Sequence, residues 1–203
     1  MFKNFILILT LTFVVTKVSA NDYFKALEFF NKKKTEESLI YFKKVAEDEN
    51  HEKRSDAMFN IALIYDNGLG IQVDKTRALY YYEAASELSN KFALFNLGWI
   101  YYNGENVNKD VIKAFELYKS ASDFGHPRAM YNLANMYFSG TGTVKDLKMA
   151  YKLFLKSKMN GILESEYFIN KISNILKPEE LSLLNNEFES LIEKKIVLPV
   201  SSN

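Results

Sequence analysis

The chain has 203 residues, of which 48% are hydrophobic and 25% are charged, as expected for a soluble protein with a sizeable core. It has no cysteine and only two histidines, which excludes disulfides, thiolate metal sites and cysteine nucleophiles and argues against an all-histidine metal site. The formal net charge is +1 and lysines alternate with acids, so the sequence predicts no basic stripe that would bind nucleic acid.

The first predicted element is a secretory signal peptide at residues 1–20. Lys3 supplies a positive charge, an apolar run extends from Phe5 to Val15, and Val18-Ser19-Ala20 places small residues at a cleavage site. The apolar run is shorter than the ~20 residues that span a bilayer, although a retained membrane anchor is the alternative interpretation. We therefore expect export to the periplasm or secretion, or the endoplasmic reticulum lumen if the source is eukaryotic. No membrane span is expected after cleavage.

Residues 21–55 are predicted to form a divergent helical hairpin, and three copies of one unit follow it. The copies occupy residues 56–91, 92–127 and 128–161 and align without a gap at a spacing of 36 residues. Such self-similarity is the signature of a repeat architecture. The recurring positions are Ala57, Ala93 and Ala129; Asn60, Asn96 and Asn132; Tyr65, Tyr101 and Tyr137; Gly68, Gly104 and Gly140; Asp74, Asp110 and Asp146; and Ala78, Ala114 and Ala150.

Each copy is predicted to be a helix-turn-helix. In the middle copy, Ala93, Leu97 and Tyr101 recur every four residues and so share one helix face. This period excludes the β-hairpin that an aromatic run into Asn-Gly would otherwise suggest. Gly104 is expected to end the first helix in a left-handed conformation, and Asp110 to cap the second.

Small residues are expected to face large ones across each pair of helices. Gly98, for example, leaves space for Tyr118 of the second helix of its copy. One hairpin cannot bury its own faces, so the copies are expected to stack. The sequence therefore predicts an all-α fold, a right-handed α-solenoid of stacked helix-turn-helix repeats.

Residues 162–195 are predicted to form a partial repeat and a capping helix. The capping helix begins with Lys177-Pro178-Glu179-Glu180, since proline and acids are favoured in a first turn. It is expected to end near Lys195, and residues 196–203 are expected to form a flexible tail.

The recurring residues resemble a known pattern. The order Ala-x-Phe/Tyr-Asn-Leu-Gly/Ala-x-x-Tyr-x-x-Gly-x-Gly, then Asp-x-x-x-Ala-x-x-x-Tyr, resembles the Sel-one-like (Sel1-like) repeat, a relative of the tetratricopeptide repeat, over Asp56–Gly161. The resemblance implies a non-enzymatic adaptor or scaffold without a cofactor. Exported relatives include envelope-signalling regulators, motor-associated proteins and host-interaction factors, and relatives in the endoplasmic reticulum lumen serve protein quality control. Members described as β-lactamase-like pair cysteines within each repeat, which this chain cannot do.

A partner-binding groove is predicted on the variable face of the first helices, which lines the concave side in tetratricopeptide-like arrays. Exposed rings such as Trp99 and Tyr102 are typical of an interaction surface, but rings can also fill gaps between hairpins. The packing role is the favoured interpretation where every copy is aromatic. The predicted groove residues are Phe59, Leu63, Asp66, Phe95, Trp99, Tyr102, Tyr131, Asn135 and Phe138.

Three asparagines at one recurring position are a second candidate set. The amides of Asn60, Asn96 and Asn132 could contact the backbone of a bound peptide, since an amide both donates and accepts. Each could equally satisfy a loop carbonyl in the adjacent repeat. Their presence in every copy favours the structural role.

Catalysis has little support in the sequence. His51 and His126 have no recurring acid or serine neighbours, and Gly68-x-Gly70 follows a helix rather than a strand, unlike a phosphate-binding loop. We therefore predict a non-enzymatic adaptor that binds a protein or peptide and has no catalytic, cofactor or metal site. The alternatives are a structural component of an envelope machine, a host-interaction factor and, least favoured, a cell-wall or β-lactam-acting hydrolase.

Overall fold

The computed structural model describes residues 18–19 and 21–197, and the predicted signal peptide lies outside this range except for Val18 and Ser19. Within the described range the secondary structure is helical throughout, without a strand. The helices are α1 (Asp22–Asn31), α2 (Thr35–Glu47), α3 (Arg54–Asn67), α4 (Lys75–Glu87), α5 (Lys91–Asn103), α6 (Val111–Asp123), α7 (Pro127–Ser139), α8 (Leu147–Met159), α9 (Ser165–Ser173) and α10 (Pro178–Val197).

The helices pack as a chain of nearest neighbours. The hairpins α1–α2, α3–α4, α5–α6 and α7–α8 are the closest pairs, and each stacks on the next hairpin through α2–α3, α4–α5 and α6–α7, with α9 stacked on α8. Buried side chains form two adjoining clusters, one centred on α2 to α5 and the other on α6 to α9. This arrangement confirms the predicted α-solenoid.

The helix boundaries in the copies follow the predicted capping residues. Gly104 has φ +78°, and its N–H donates to the Ile100 carbonyl at 2.8 Å, which closes the last turn of α5. An Asp110 Oδ1 accepts the backbone N–H groups of Ile112 and Lys113 at 3.1 and 2.9 Å and caps α6. Because these caps recur, each copy turns at the same point and presents its first helix on the same side.

The crossing of α5 and α6 depends on one residue without a side chain. A Cβ atom placed on Gly98 would lie 2.7 Å from both Cδ1 and Cε1 of Tyr118, which is closer than real carbon atoms approach. The neighbouring copies have the fully buried Ala62 and Ala134 at this position. The predicted fit of a small residue against a large one is confirmed, and it is tightest in the middle copy.

The flanking segments complete the array. Ser38, Phe42 and Val45 are fully buried in the first hairpin, and the Ser38 hydroxyl donates to the Ala26 carbonyl at 2.9 Å. The last helix, α10, lies against α8, where Tyr151 donates its hydroxyl hydrogen to Asn185 Oδ1 at 2.9 Å. A cap of this kind covers the exposed end of a solenoid.

The end of α10 differs from the prediction. The helix continues to Val197, two residues past Lys195, so Ile196 and Val197 are helical rather than part of a tail. Pro199 is the first proline after Pro178, so the sequence between them contains no proline that would stop a helix at Lys195. Residues 198–203 of the predicted tail lie outside the described residues.

Candidate functional site

A cavity of about 390 Å³ lies between the first helices of the second and third copies, α5 and α7. We call it the inter-repeat cavity. Five of its nine lining residues were predicted as site residues from the sequence, and the other four were not. It is lined by Trp99, Tyr102, Tyr118, Asn132, Asn135, Met136, Phe138, Ser139 and Thr141.

Three aromatic rings form the walls of the inter-repeat cavity. Trp99 is 49% exposed, and its Nε1 donates to Glu105 Oε1 at 3.2 Å. Tyr102 and Phe138 are half-buried, and the ring of Phe138 packs edge-on against Phe168 of α9 with 5.5 Å between centroids. Phe138 is therefore held in place by its neighbour, while about half of the Trp99 surface remains open to a ligand.

Neutral polar groups line the rest of the cavity. The Asn135 amide donates to the Tyr131 carbonyl at 3.0 Å, which leaves its side-chain oxygen able to accept another bond. The Ser139 and Thr141 hydroxyls lie 2.8 Å apart. Burial raises the pKa of Tyr118, so the phenol stays protonated at neutral pH. These groups can both donate to and accept from a peptide backbone.

The remaining predicted groove residues do not line this cavity. Phe95 stacks against His126 at 4.4 Å between centroids, and Tyr131 packs edge-on against Phe154 at 5.6 Å. The ring of Phe59 lies 5.5 Å from that of Phe92, with the two planes tilted by 31°. These rings fill the space between neighbouring helices, in agreement with the packing interpretation.

Leu63 and Asp66, the other predicted groove residues of the first copy, also contact their own neighbours. Leu63 packs against the first core cluster, and Asp66 accepts from Lys75 Nζ at 2.7 Å and from the Tyr82 hydroxyl at 3.1 Å. The predicted groove residues of the first copy therefore contact other residues of the array.

One of the recurring asparagines, Asn60, binds a tyrosine hydroxyl of the preceding hairpin. It donates to the Tyr23 hydroxyl at 3.2 Å and to the Asp56 carbonyl of its own helix at 2.8 Å, and Asn132 lies in the same cavity wall as Tyr118. Asn96 is half-buried in α5. Of the three, Asn132 alone lines the inter-repeat cavity, so the structure does not form an asparagine ladder along that cavity.

Sequence reasoning missed Tyr118, Met136, Ser139 and Thr141. Tyr118 was assigned to packing because tyrosine or phenylalanine recurs there in every copy, and a residue can serve both roles. Ser139 lies one turn after Asn135 on the same face of α7, so extending the predicted stripe by one turn would have found it. Met136 lies one turn after Asn132 on α7, so helical spacing also reaches it, whereas Thr141 belongs to the turn, whose side-chain directions helical spacing does not give.

A second cavity, of about 660 Å³, was also missed by the sequence analysis. It lies where α10 crosses α6, α7 and α8, and its walls include Met130, Leu133, Met149, Leu153 and Phe188. It marks where the last helix meets the array.

Two other classes of site were sought among the described residues. No group of three or more histidine, aspartate or glutamate side chains there is placed to hold a metal ion. No helix within the same range is both long enough and apolar enough to cross a membrane.

Known proteins with solved structures share the architecture. A Sel1 repeat protein from Oxalobacter formigenes is 25% identical, with a TM-score of 0.66 over 72% of this chain and 59% of that one. A protective antigen of uropathogenic Escherichia coli strains that displays an SLR fold is 20% identical, with a TM-score of 0.69 over 84% of this chain and 38% of the antigen. The chain thus spans less than two thirds of either relative, and no protein of curated function matches it.

The repeats themselves match a family model. Residues 55–90, 91–126 and 127–162 each match the model described as Sel1 repeat, and together they make up more than half of the 203 residues. Proteins built from this repeat are generally non-catalytic scaffolds for protein interactions. The chain belongs to the Sel1 repeat family.

Proposed function

We propose that this protein is an exported, non-enzymatic adaptor that binds a peptide segment of another protein in the inter-repeat cavity. The observation that carries the proposal is the convergence of Trp99 and Phe138, from successive copies, around a set of neutral amides and hydroxyls. Large rigid rings supply most of the binding energy at protein interfaces, and a few fixed polar groups supply orientation.

The size of the cavity favours a short segment as the ligand. A volume of about 390 Å³ is at the lower end of the range for ligand pockets. One apolar side chain of the partner would lie between the rings of Trp99 and Phe138. The peptide backbone beside it would bond to the side-chain oxygen of Asn135 and to the hydroxyls of Ser139 and Thr141.

The cavity is also formed before any ligand binds. Tyr118, at its base, is 2% exposed and is fixed against Gly98, while Met136 is equally buried. A preorganised site avoids the entropic cost of ordering its walls during binding. Trp99 is half-exposed and can be changed without disturbing this base.

Export is the second part of the proposal and rests on the signal pattern of residues 1–20. Expression in a bacterium followed by cell fractionation and N-terminal sequencing tests it. We expect a product that begins near Asn21 in the periplasm or the medium. A full-length product in the cytoplasm would contradict export without bearing on the binding site.

The binding site is tested by crosslinking in the source organism, affinity purification and mass spectrometry with matched variants. Trp99→Ala and Phe138→Ala should each lose the partner that the unchanged protein captures. Tyr80→Ala, which removes a ring that is 66% exposed on α4 and away from the cavity, should retain it. Circular dichroism should show that all three variants are folded.

The adaptor proposal fails if the captured protein survives both cavity substitutions. A membrane complex that is retained by both cavity variants would instead indicate a structural component whose contacts lie elsewhere on the array.

A further inference from the structure

Three lysines surround the aromatic walls of the inter-repeat cavity. Lys109 Nζ lies 5.5 Å from the centre of the Tyr102 ring, and Lys145 and Lys171 lie 5.8 and 5.4 Å from the centre of the Phe138 ring. All three side chains are exposed. Among the described residues, no carboxylate lies within 4.0 Å of any of these ammonium groups.

Two of these lysines occupy the same position in successive copies. Lys109 and Lys145 are 36 residues apart, and so are the rings they cover, Tyr102 and Phe138. Each lysine comes directly before the aspartate that caps the second helix, and its Cβ faces the glycine that ends the first helix. The backbone therefore aims both ammonium groups at the first helix of their own copy.

The first copy shows that the stack does not require this arrangement. Its equivalent residues are Val73 and Asp66, and Asp66 is paired with Lys75 at 2.7 Å. The first copy thus has neither the ring nor the lysine, although its helices pack in the same way. At this position, the pairing of a lysine with a ring occurs only in the two copies that build the cavity.

Positive charge therefore exceeds negative charge around the cavity. The residues that line it include no carboxylate, and the nearby Glu105 is bonded to Trp99. Other lysines of the array, such as Lys148 with Glu180, are instead paired at 2.7 Å. A cavity with aromatic walls and three flanking lysines is complementary to an apolar side chain that has negatively charged residues on both sides of it.

We infer that the segment bound here is an acidic peptide, in which one apolar side chain is flanked by aspartate or glutamate residues. The inference rests on the proposed function and adds the chemistry of the partner to it. The apolar side chain lies between Trp99 and Phe138. Carboxylates on one side reach Lys109, and those on the other side reach Lys145 and Lys171.

A single-stranded nucleic acid would also be attracted by rings and cations, but the surface favours a peptide. Binding of nucleic acid without base pairing uses a continuous basic groove that follows the backbone. Here lysines and rings come together at the cavity between the second and third copies, and the first copy has Asp66 where those copies have rings. An oligonucleotide therefore serves as a competing ligand in the test.

The experiment is selection of a phage-displayed random peptide library on the purified full chain, followed by affinity measurements with synthetic peptides. Lys145→Gln/Lys171→Gln is the test variant. Lys43→Gln/Lys113→Gln is the matched control, because it removes the same charge from lysines that also lie over tyrosine rings, at 6.0 and 3.8 Å, outside the cavity. Trp99→Ala reports whether a peptide uses the cavity at all.

We expect peptides that depend on Trp99 to combine one apolar residue with flanking acids. Their affinity should fall about three- to tenfold in the test variant, as for the loss of two exposed charge contacts, and change little in the control. It should also weaken as sodium chloride is raised, because salt screens exposed charges.

Three results would overturn the inference. Peptides that need Trp99 but lack acids, or that bind the test variant equally well, contradict the acidic partner and leave the proposed function in place. Tighter binding of an oligothymidylate than of any selected peptide, with loss in Trp99→Ala, would replace the peptide with nucleic acid. A library that yields no peptide dependent on Trp99 contradicts both the inference and the proposed function.

Discussion

The imidazole of His126 lies parallel to the ring of Phe95, with 4.4 Å between the ring centroids and 13° between the planes. The same imidazole accepts the backbone N–H of Ala129 at its Nδ1, 3.1 Å away, and so caps α7. His126 is only 9% exposed. Burial, and then the neighbouring cations Lys91 and Arg128, lower the pKa of His126 to about 4.

This contact predicts a loss of stability in mild acid. The pKa of His126 lies below its ordinary value of 6.5, so between these values the unfolded chain binds a proton that the folded chain does not. Stability is therefore complete above about pH 7 and falls as the pH drops towards 4. At about 1.4 kcal/mol per pH unit, we expect the free energy of unfolding to be about 2 kcal/mol lower at pH 5 than at pH 7.5. Urea denaturation at the two pH values measures it.

The residue that precedes the second copy supplies the control for this prediction. Asn90 occupies the equivalent position and caps α5 by accepting the N–H groups of Phe92 and Ala93. His126→Asn should keep the cap, lose the stacking on Phe95 and show no pH dependence from this residue between pH 7.5 and 5. Equal pH dependence of the two proteins would show that His126 is not the titrating group.

Gly98 gives a second prediction. Gly98→Ala should lower the free energy of unfolding by about 1–3 kcal/mol, because the added Cβ would lie 2.7 Å from the Tyr118 ring and the core would be overpacked. The better helix propensity of alanine, about 1 kcal/mol, acts in the opposite direction. Chemical denaturation gives the net effect.

A double-mutant cycle separates the two contributions to the Gly98 effect. Tyr118→Leu removes the ring atoms that the new Cβ meets, so Gly98→Ala should become neutral or stabilising in that background. If Gly98→Ala is equally destabilising with and without the ring, the crossing of α5 and α6 is not limited by this contact.

Trp99 provides an optical test of the charge around the inter-repeat cavity. It is the only tryptophan of the chain and is 49% exposed, so dissolved quenchers reach it. Because Lys109, Lys145 and Lys171 flank the cavity, we expect iodide to quench its fluorescence more strongly than caesium at equal ionic strength. Lys145→Gln/Lys171→Gln should reduce this preference for the anion.

The quenching measurement also has a matched control. Lys43→Gln/Lys113→Gln changes the net charge equally and should leave the ratio of iodide to caesium quenching unchanged. Stronger quenching by caesium in the unchanged protein would mean that Glu105 dominates the local potential, and it would remove the physical basis for an acidic partner.

The array could be predicted from the sequence because each copy contacts only its neighbours. A position that recurs every 36 residues, such as the capping aspartate at 110, must satisfy the same local geometry in each copy. The helix period likewise showed that the aromatic run into Asn103-Gly104 is not a hairpin strand. These features depend on contacts within one hairpin, and such contacts join residues at short, regular spacings that can be recognised in the sequence.

The binding surface was harder to predict, because it depends on contacts between copies. Helical spacing placed Phe95 and Trp99 on one stripe, and it could not show that His126, from the turn before the next copy, covers Phe95 and leaves Trp99 open. The unpaired lysines were visible as a recurrence at positions 109 and 145. That these lysines flank the cavity could be inferred only from their distances to the rings of Tyr102 and Phe138.

The inter-repeat cavity is shared between two copies, so the recognition proposed here would belong to the junction and not to either unit. This has a consequence for how such a gene can evolve. Loss of one unit by recombination would leave a shorter array that still stacks and would erase the cavity. In-frame duplication of a unit would create a new junction with a different combination of walls, and hence a new specificity, while the existing partner kept its site.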